Sequence, residues 1–148
     1  AQLERFDEIN EKRRKITERY DELFKNKYFA MPLIKHFGEN YTSAMHLYPI
    51  RLNTSAAPIS ARFIDGILED WRTGIYKKLR DRGVPCNVHY KPLPMMTAYK
   101  NEGYDIADYP NAYRLFSTLL TIPYHSELTP EQQEYIVEEI EKAVKPVC

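Results

Sequence analysis

The chain has 148 residues, of which 43% are hydrophobic and 28% are charged, and this length suits one domain that buries about 70% of its unfolded surface. Its 21 basic and 21 acidic residues give a formal net charge of zero, whereas nucleic-acid-binding domains are usually strongly basic, so nucleic acid is not an expected partner. The charge is uneven, because residues 126–148 carry six acids against two bases and residues 29–125 carry eleven bases against eight acids.

The first predicted element is a long amphipathic helix from about residue 2 to about residue 26. Apolar residues recur at helical spacing between Leu3 and Phe24, with charged residues on the opposite face. The basic run at residues 12–15 is flanked by acids, which favours a solvated helix face with i,i+4 ion pairs over a nucleic-acid patch.

Three strands are predicted, over residues 43–52, 86–91 and 119–123. Pro49 lies within the first of them, and since proline has no backbone N–H, we expect it at a sheet edge or a bulge. Apolar residues at four-residue spacing predict helical structure over residues 60–82, as one helix or two, which Gly83 ends.

Two further helices complete the chain, a short one near residues 112–116 and a last one that starts with a capping box. In that box Thr129 caps, Pro130 occupies the first turn and Gln132 stands at the third position. The alternation of helices and short strands predicts an α+β fold, a small three-stranded, mainly antiparallel sheet with helices packed on it. Residues 1–148 are expected to form a single domain.

Two cysteines, Cys86 and Cys148, do not make a disulfide framework, so free thiols in a reducing cytoplasm are expected. The first twenty residues are charged throughout, unlike a signal peptide, and no apolar run approaches the roughly 18 residues of a membrane span, so no membrane contact is expected. The chain starts at Ala1 within a helical pattern, from which we expect that further sequence precedes it.

The segment His89-Tyr90-Lys91 carries the most suggestive chemistry in the sequence. On a strand, His89 and Lys91 would point to one side and Tyr90 to the other, offering charge and a stacking face to an anionic, ring-bearing ligand. The residues by themselves favour the alternative, a polar strand at the rim of the sheet. The tyrosines of residues 99–124 are interpreted as packing residues or as an interface.

Two other residues are candidates for binding. Arg51 follows an apolar strand and would hold a carboxylate or phosphate with two hydrogen bonds, although an ordinary ion pair with Asp65 or Glu69 is the favoured alternative. His46 is more simply interpreted as a structural histidine.

The sequence contains no recognisable motif for binding a nucleotide cofactor or a metal ion. With five glycines and neither a Gly-x-Gly-x-x-Gly nor a Walker sequence, the chain has no glycine-rich phosphate loop. Cys86-x-x-His89 lacks a second spaced pair of ligands, so no metal site is expected, and no catalytic residue is assigned.

Six segments nevertheless follow one another in a familiar order. They are Ala1-Gln2-Leu3, His46-Leu47-Tyr48-Pro49-Ile50-Arg51, Val88-His89-Tyr90-Lys91-Pro92-Leu93, Tyr109-Pro110-Asn111-Ala112, Thr121-Ile122-Pro123-Tyr124-His125, and Leu128-Thr129 with Gln132. Together they resemble the C-terminal small domain of the sugar aminotransferases of the DegT/DnrJ/EryC1/StrS family. The second and third resemble its His-Leu-Tyr-Pro-Ile and His-Tyr-x-Pro-Leu elements.

The resemblance implies a type I aminotransferase fold and a parent enzyme that uses pyridoxal phosphate. Such enzymes move an amino group from an amino acid, usually glutamate, to the keto group of a nucleotide-linked sugar, in amino-sugar or surface-polysaccharide biosynthesis. The cofactor residues belong to a large domain that precedes this one. We therefore expect the parent to be a cytoplasmic homodimer, and this chain alone to be inactive and free of cofactor.

The resemblance also implies roles for the candidate residues. His89 and Tyr90 would face the substrate, Lys91 would meet the pyrophosphate, Arg51 would meet the carboxylate of the amino donor, and His46 is a further substrate-binding candidate. Two other functions remain open: a keto-sugar dehydratase of the same fold, and a stand-alone binding module without catalysis.

Overall fold

The computed structural model describes residues 3–57 and 66–145. In chain order these residues form α1 (Phe6–Phe24), β1 (Ala30–Pro32), β2 (Phe37–Gly38), β3 (Tyr41–Thr42), β4 (Tyr48–Leu52), α2 (Ile67–Asp81), α3 (Thr97–Asn101), α4 (Pro110–Thr118), β5 (Leu119–Ile122) and α5 (Pro130–Val144). In this part of the chain no helix is both long and apolar enough to cross a membrane.

The α+β prediction is confirmed, with a three-stranded antiparallel sheet in the order β1-β4-β5. Its central row pairs Met31 with Arg51 and Arg51 with Leu119. β2 and β3 form a separate small hairpin. Two of the predicted strands correspond to β4 and β5, although β4 begins only at Tyr48, so residues 43–47 lie outside the sheet.

The strand predicted over residues 86–91 is wrong. This segment makes a single antiparallel bridge to the outer edge of β5, between Asn87 and Thr121. At the next residue the Val88 N–H donates to the Asn87 side-chain oxygen at 2.7 Å instead of to a neighbouring strand. The place of the third strand is taken by β1, whose three residues were not predicted as a strand.

Pro49 was expected at an edge or a bulge, and it lies instead in the central strand. The Pro49 carbonyl accepts a hydrogen bond at 2.9 Å from the N–H of Leu33, the residue that follows β1. In an antiparallel strand the nitrogen and the carbonyl of one residue face the same neighbour, so the Pro49 nitrogen also faces the side of β1, beyond the end of that strand. Opposite it in β5, Thr121 directs both backbone groups to Asn87. The ladder therefore requires no N–H at Pro49.

One face of the sheet forms the core together with α1, α2 and α5. Strand residues that alternate along β4 point to it, and the three helices close over it with buried aromatic and aliphatic side chains. The sheet contributes Ala30, Tyr48, Ile50, Leu52, Leu120 and Ile122, and the helices contribute Ile16, Tyr20, Phe24, Ile75, Leu79, Ile136 and Ile140. The opposite face carries Pro49, Arg51, Leu119 and Thr121.

The predicted helix signals are confirmed where the structure describes them. In α5, Thr129 Oγ1 accepts from Gln132 N–H and the Gln132 side chain accepts from Thr129 N–H, which completes the capping box. α2 ends in a Schellman motif, in which Gly83 N–H bonds to Arg80 and Val84 N–H bonds to the Leu79 carbonyl. Residues 60–65 of the predicted helix lie outside the described residues.

Replacing either of two glycines in or just after α2 by alanine is expected to change the free energy of unfolding, in opposite directions. Gly83 has φ +77°, which costs an alanine roughly 1 kcal/mol, although a Cβ there meets no atom within 4 Å. Gly74 lies inside α2 with equally open space, so alanine there is expected to stabilise by about 0.5–1 kcal/mol. Urea unfolding of the two variants measures both values, and changes of the same sign would contradict this interpretation.

Candidate functional site

Arg51 lies in the middle of β4 on the face opposite the core, half-buried between Met31 and Leu119. Glu69, one of its two expected ion-pair partners, lies instead 3.8 Å from Arg72. The other, Asp65, lies outside the described residues. No residue that the structure describes pairs with the Arg51 guanidinium, which therefore is available to an anion from outside these residues.

Residues 89–91 follow the point where the chain leaves the sheet at Asn87. Because the bridge from Asn87 to Thr121 is antiparallel, the following chain runs toward Leu119, the first residue of β5. Leu119 pairs with Arg51. The structure therefore attaches this segment, through Asn87, to β5, the strand whose first residue pairs with Arg51.

The predicted alternation of side chains in this segment is wrong, because no strand ladder holds it. His89 is half-buried, and its Nδ1 atom is shielded from solvent with no hydrogen-bond partner among the described residues. Its ring contacts Tyr90 edge to face, with 4.6 Å between the ring centres. The Tyr90 side chain is 68% exposed, and Lys91 is also exposed. Tyr90 and Lys91 therefore offer an aromatic face and a cation to solvent, whereas His89 carries a shielded ring nitrogen.

His46 lies apart from the other candidates. It precedes β4 by two residues, at the end of the strand where Tyr48 pairs with Ile122, whereas Arg51 lies at the other end. It is exposed and lines a pocket formed with Arg13 and Arg14 of α1. We call this cavity the α1 pocket; its lining comprises Phe6, Asn10, Arg13, Arg14 and residues 42–46.

The basic run at residues 12–15 was interpreted as a solvated face, and this is confirmed for most of it. Lys12 pairs with Glu8, and Arg14 and Lys15 pair with Glu11. Arg13 differs, because its Nε atom is shielded from solvent and finds no acceptor among the residues described. Helical periodicity gave no sign of this, since the shielding arises only in the folded chain.

Sequence reasoning missed a buried polar cluster that lies next to residues 42–46 in the fold and comprises Tyr48, Asp21 and His36. The Tyr48 hydroxyl donates to Asp21 Oδ1 at 2.6 Å, and the His36 ring stacks on Tyr48 with 5.7 Å between ring centres. Burial raises the pKa of Tyr48 and lowers the pKa of His36, so both remain neutral near pH 7. The sequence around Tyr48 and around His36 contains no pattern that predicts a buried polar side chain at either position.

Cys86, the cysteine of the Cys86-x-x-His89 pair, is buried in the core. Burial raises the pKa of the Cys86 thiol to about 12, which leaves it protonated and unreactive. The part of the chain that the structure describes holds no group of three or more histidines, cysteines and carboxylates placed to bind a metal ion. Cys148 lies outside that part.

Three of the tyrosines that follow residues 89–91 lie on the surface, Tyr99, Tyr104 and Tyr109, whereas Tyr124 packs against the core as one of the two interpretations predicts. Residues 93–109 form α3 and short 3₁₀ turns, and they expose several large side chains that the described residues do not cover: Leu93, Met96, Tyr99, Tyr104 and Tyr109. Tyr99 and Tyr104 contact each other edge to face at 6.0 Å. Of the two interpretations offered for these tyrosines, this exposure favours an interface.

Comparison with known proteins assigns a family context to this geometry. The model of the DegT/DnrJ/EryC1/StrS aminotransferase family matches residues 1–141. A UDP-4-amino-4,6-dideoxy-N-acetyl-beta-L-altrosamine transaminase of Campylobacter jejuni is 30% identical over 99% of the chain and 36% of its own length. The spore coat polysaccharide biosynthesis protein SpsC of Bacillus subtilis is 23% identical over 97% of the chain and 34% of its own length.

A solved structure shows the same fold. Spr1654 from Streptococcus pneumoniae, assigned as a sugar aminotransferase, superposes with a TM-score of 0.82 and 36% identity over 97% of this chain and 32% of its own. It has been solved in PLP, PMP and apo forms. The chain thus spans about a third of the length of the relatives it matches.

Proposed function

The chain belongs to the DegT/DnrJ/EryC1/StrS aminotransferase family, and we propose that it is the small domain of an enzyme that aminates a nucleotide-linked keto sugar. The observation that carries this proposal is the match of nearly the whole chain to a sugar aminotransferase solved with PLP and PMP. The relatives from C. jejuni and B. subtilis support a nucleotide-linked sugar as substrate and polysaccharide or amino-sugar biosynthesis as the pathway type. We take glutamate as the amino donor and a homodimer as the assembly of the parent.

The described residues offer no enclosed lysine for pyridoxal phosphate. That cofactor needs an enclosed lysine, and none of the described lysines is buried or lines the α1 pocket. When bound to the parent, the cofactor acts as the electron sink for amino transfer. We therefore place its site on the part of the parent outside this chain, and the role of this domain is to bind and orient substrate.

We assign that role to the end of β4 where Arg51 lies and to residues 89–91, which follow the bridge from Asn87 to β5. The Arg51 guanidinium, which has no partner among the described residues, is suited to hold the donor carboxylate with two hydrogen bonds. Lys91 supplies a charge for the pyrophosphate, and the exposed Tyr90 ring supplies a face for the sugar or the base. The shielded His89 Nδ1 lacks a partner among the described residues, so it is free to bond a substrate hydroxyl. His46 lies at the other end, and we assign it to the α1 pocket.

The test of this proposal uses the parent protein with a UDP-linked keto sugar and glutamate. His89→Ala and Tyr90→Ala are each expected to lower kcat/KM for the sugar about tenfold, since each removes one substrate contact of about 1.4 kcal/mol. The visible absorbance of the bound cofactor is expected to remain, because neither residue touches it.

Tyr104→Ala is the matched control, since Tyr104 is an exposed tyrosine outside residues 89–91. Unchanged kinetics in both variants would remove His89 and Tyr90 from the site. Loss of water from the sugar without formation of an amine would place the parent among keto-sugar dehydratases of the same fold.

A further inference from the structure

The α1 pocket has a volume of about 550 Å³ and lies between α1 and the segment that leads from β3 into β4. Phe6, Asn10, Arg13 and Arg14 recur at intervals of three and four residues, so they share one face of the helix and form one wall. Residues 42–46 form the opposite wall. The cavity is thus built by two segments that meet only in the folded chain.

The second wall is held in place by buried hydrogen bonds. Ser43 Oγ lies 2.6 Å from His36 Nδ1 and accepts from Met45 N–H at 3.0 Å. The Ser43 N–H also donates to the His36 carbonyl at 2.8 Å. His36 and Met45 are both almost fully buried, so this loop is fixed to the core rather than free to close over the cavity.

The charge lining the α1 pocket is entirely positive. Two guanidinium groups and the His46 imidazole face it, and none of the described lining residues carries a carboxylate. Arg14 is already partly neutralised, because its Nε lies 3.5 Å from Glu11 and its guanidinium lies over the Phe37 ring at 5.4 Å. The lining therefore holds more positive charge than its neighbours neutralise.

Arg13 is the group that lacks a partner. Its side chain makes no ion pair with a carboxylate of the described residues, and its Nε is shielded from solvent without an acceptor. The charge of the Arg13 guanidinium is therefore not neutralised by the described residues, and an oxyanion in the cavity would gain charge-assisted hydrogen bonds from it. Phe6 and Met45 add an apolar side to the same cavity.

We propose that the α1 pocket binds a phosphate or carboxylate group of a small organic molecule, with the Arg13 guanidinium as its principal ligand. Arg14 and His46 complete the positive lining, the Asn10 amide supplies a neutral hydrogen-bond donor, and the apolar side accommodates the remainder of the ligand. This inference is independent of the aminotransferase proposal, because it rests on the lining of the pocket alone.

The experiment titrates this chain with inorganic phosphate, and separately with acetate, at constant ionic strength kept with chloride. Binding is followed by the backbone amide signals of residues 42–46 in two-dimensional NMR spectra. We expect a saturable shift with at least one of the two anions, and the comparison shows whether a phosphate or a carboxylate is preferred. Arg13→Gln is expected to weaken that binding about tenfold, the loss of one charge-assisted contact.

Arg80→Gln is the matched control, since Arg80 is an exposed guanidinium on α2 that lies 3.3 Å from Asp81, and its binding curve is expected to match that of the unchanged chain. If Arg13→Gln fails to fold, the exposed Arg14→Gln serves as the second variant with the same expected direction. No saturable shift with either anion, or equal binding by the arginine variants and the unchanged chain, would overturn the proposal.

Discussion

Replacing Tyr48 by alanine is expected to lower the free energy of unfolding by about 3–5 kcal/mol, because it leaves a large cavity at the centre of the core. Tyr48 is completely buried, and its ring lies 4.8 Å from Tyr20 and 6.2 Å from both Phe24 and Tyr124. Its hydroxyl also donates to Asp21, which would lose that donor. Urea unfolding followed by circular dichroism measures the change.

Two further variants separate packing from hydrogen bonding at this position. Tyr48→Phe keeps the ring and removes the hydroxyl, so it is expected to cost only about 1–2 kcal/mol. Tyr104→Ala removes a half-exposed tyrosine and is expected to change stability by less than about 0.5 kcal/mol. Equal losses in Tyr48→Phe and Tyr48→Ala would show that the bond to Asp21, and not the packing, holds this part of the core.

The helices were predictable because their signals are local. Apolar spacing identified α1, the capping box at Thr129 located the start of α5, and Gly83 located the end of α2. Each of these signals acts within a few residues, through side-chain periodicity or through backbone groups of one turn. The sequence therefore contains them without reference to the rest of the fold.

The strands were less predictable because a strand depends on its neighbours. β1 has three residues, and only its pairing with β4 makes it a strand. Residues 86–91 have the composition of a strand, yet they find an edge of β5 at Asn87 alone. Neither fact is local, so the sequence pattern misplaced one strand while it correctly predicted a three-stranded sheet and the fold class.

The candidate site divides along the same line. The chemistry of His89, Tyr90, Lys91 and Arg51 was visible in the sequence, but the pairing of Arg51 with Leu119 and the bridge of Asn87 to Thr121 arise only in the folded chain. Arg13, which has no ion pair among the described residues, was hidden among residues that form ordinary surface ion pairs. It shares the α1 pocket with a wall that lies about thirty residues further along the chain.

Pro49 and Ile50 offer a direct test of the sheet register, because their backbone groups face opposite sides. Pro49 faces β1 beyond its last residue, so the missing N–H costs nothing there. Ile50 faces β5, where it pairs with Leu120 in the alternating pattern of an antiparallel ladder. A proline is thus acceptable at the first position and excluded at the next.

Ile50→Pro is expected to reduce the free energy of unfolding by about 4 kcal/mol or more. The substitution removes a ladder hydrogen bond, which leaves the Leu120 carbonyl without its donor, and it also disturbs a fully buried side chain. A loss of that size approaches the whole stability of an ordinary domain, so the variant is expected to show little cooperative unfolding. Pro49→Ala and Ile50→Val are the controls, each with an expected cost of about 1 kcal/mol, and urea unfolding compares all three. If Ile50→Pro proved no less stable than Ile50→Val, Ile50 would not face β5, and the register that places Arg51 beside Leu119 would be wrong with it.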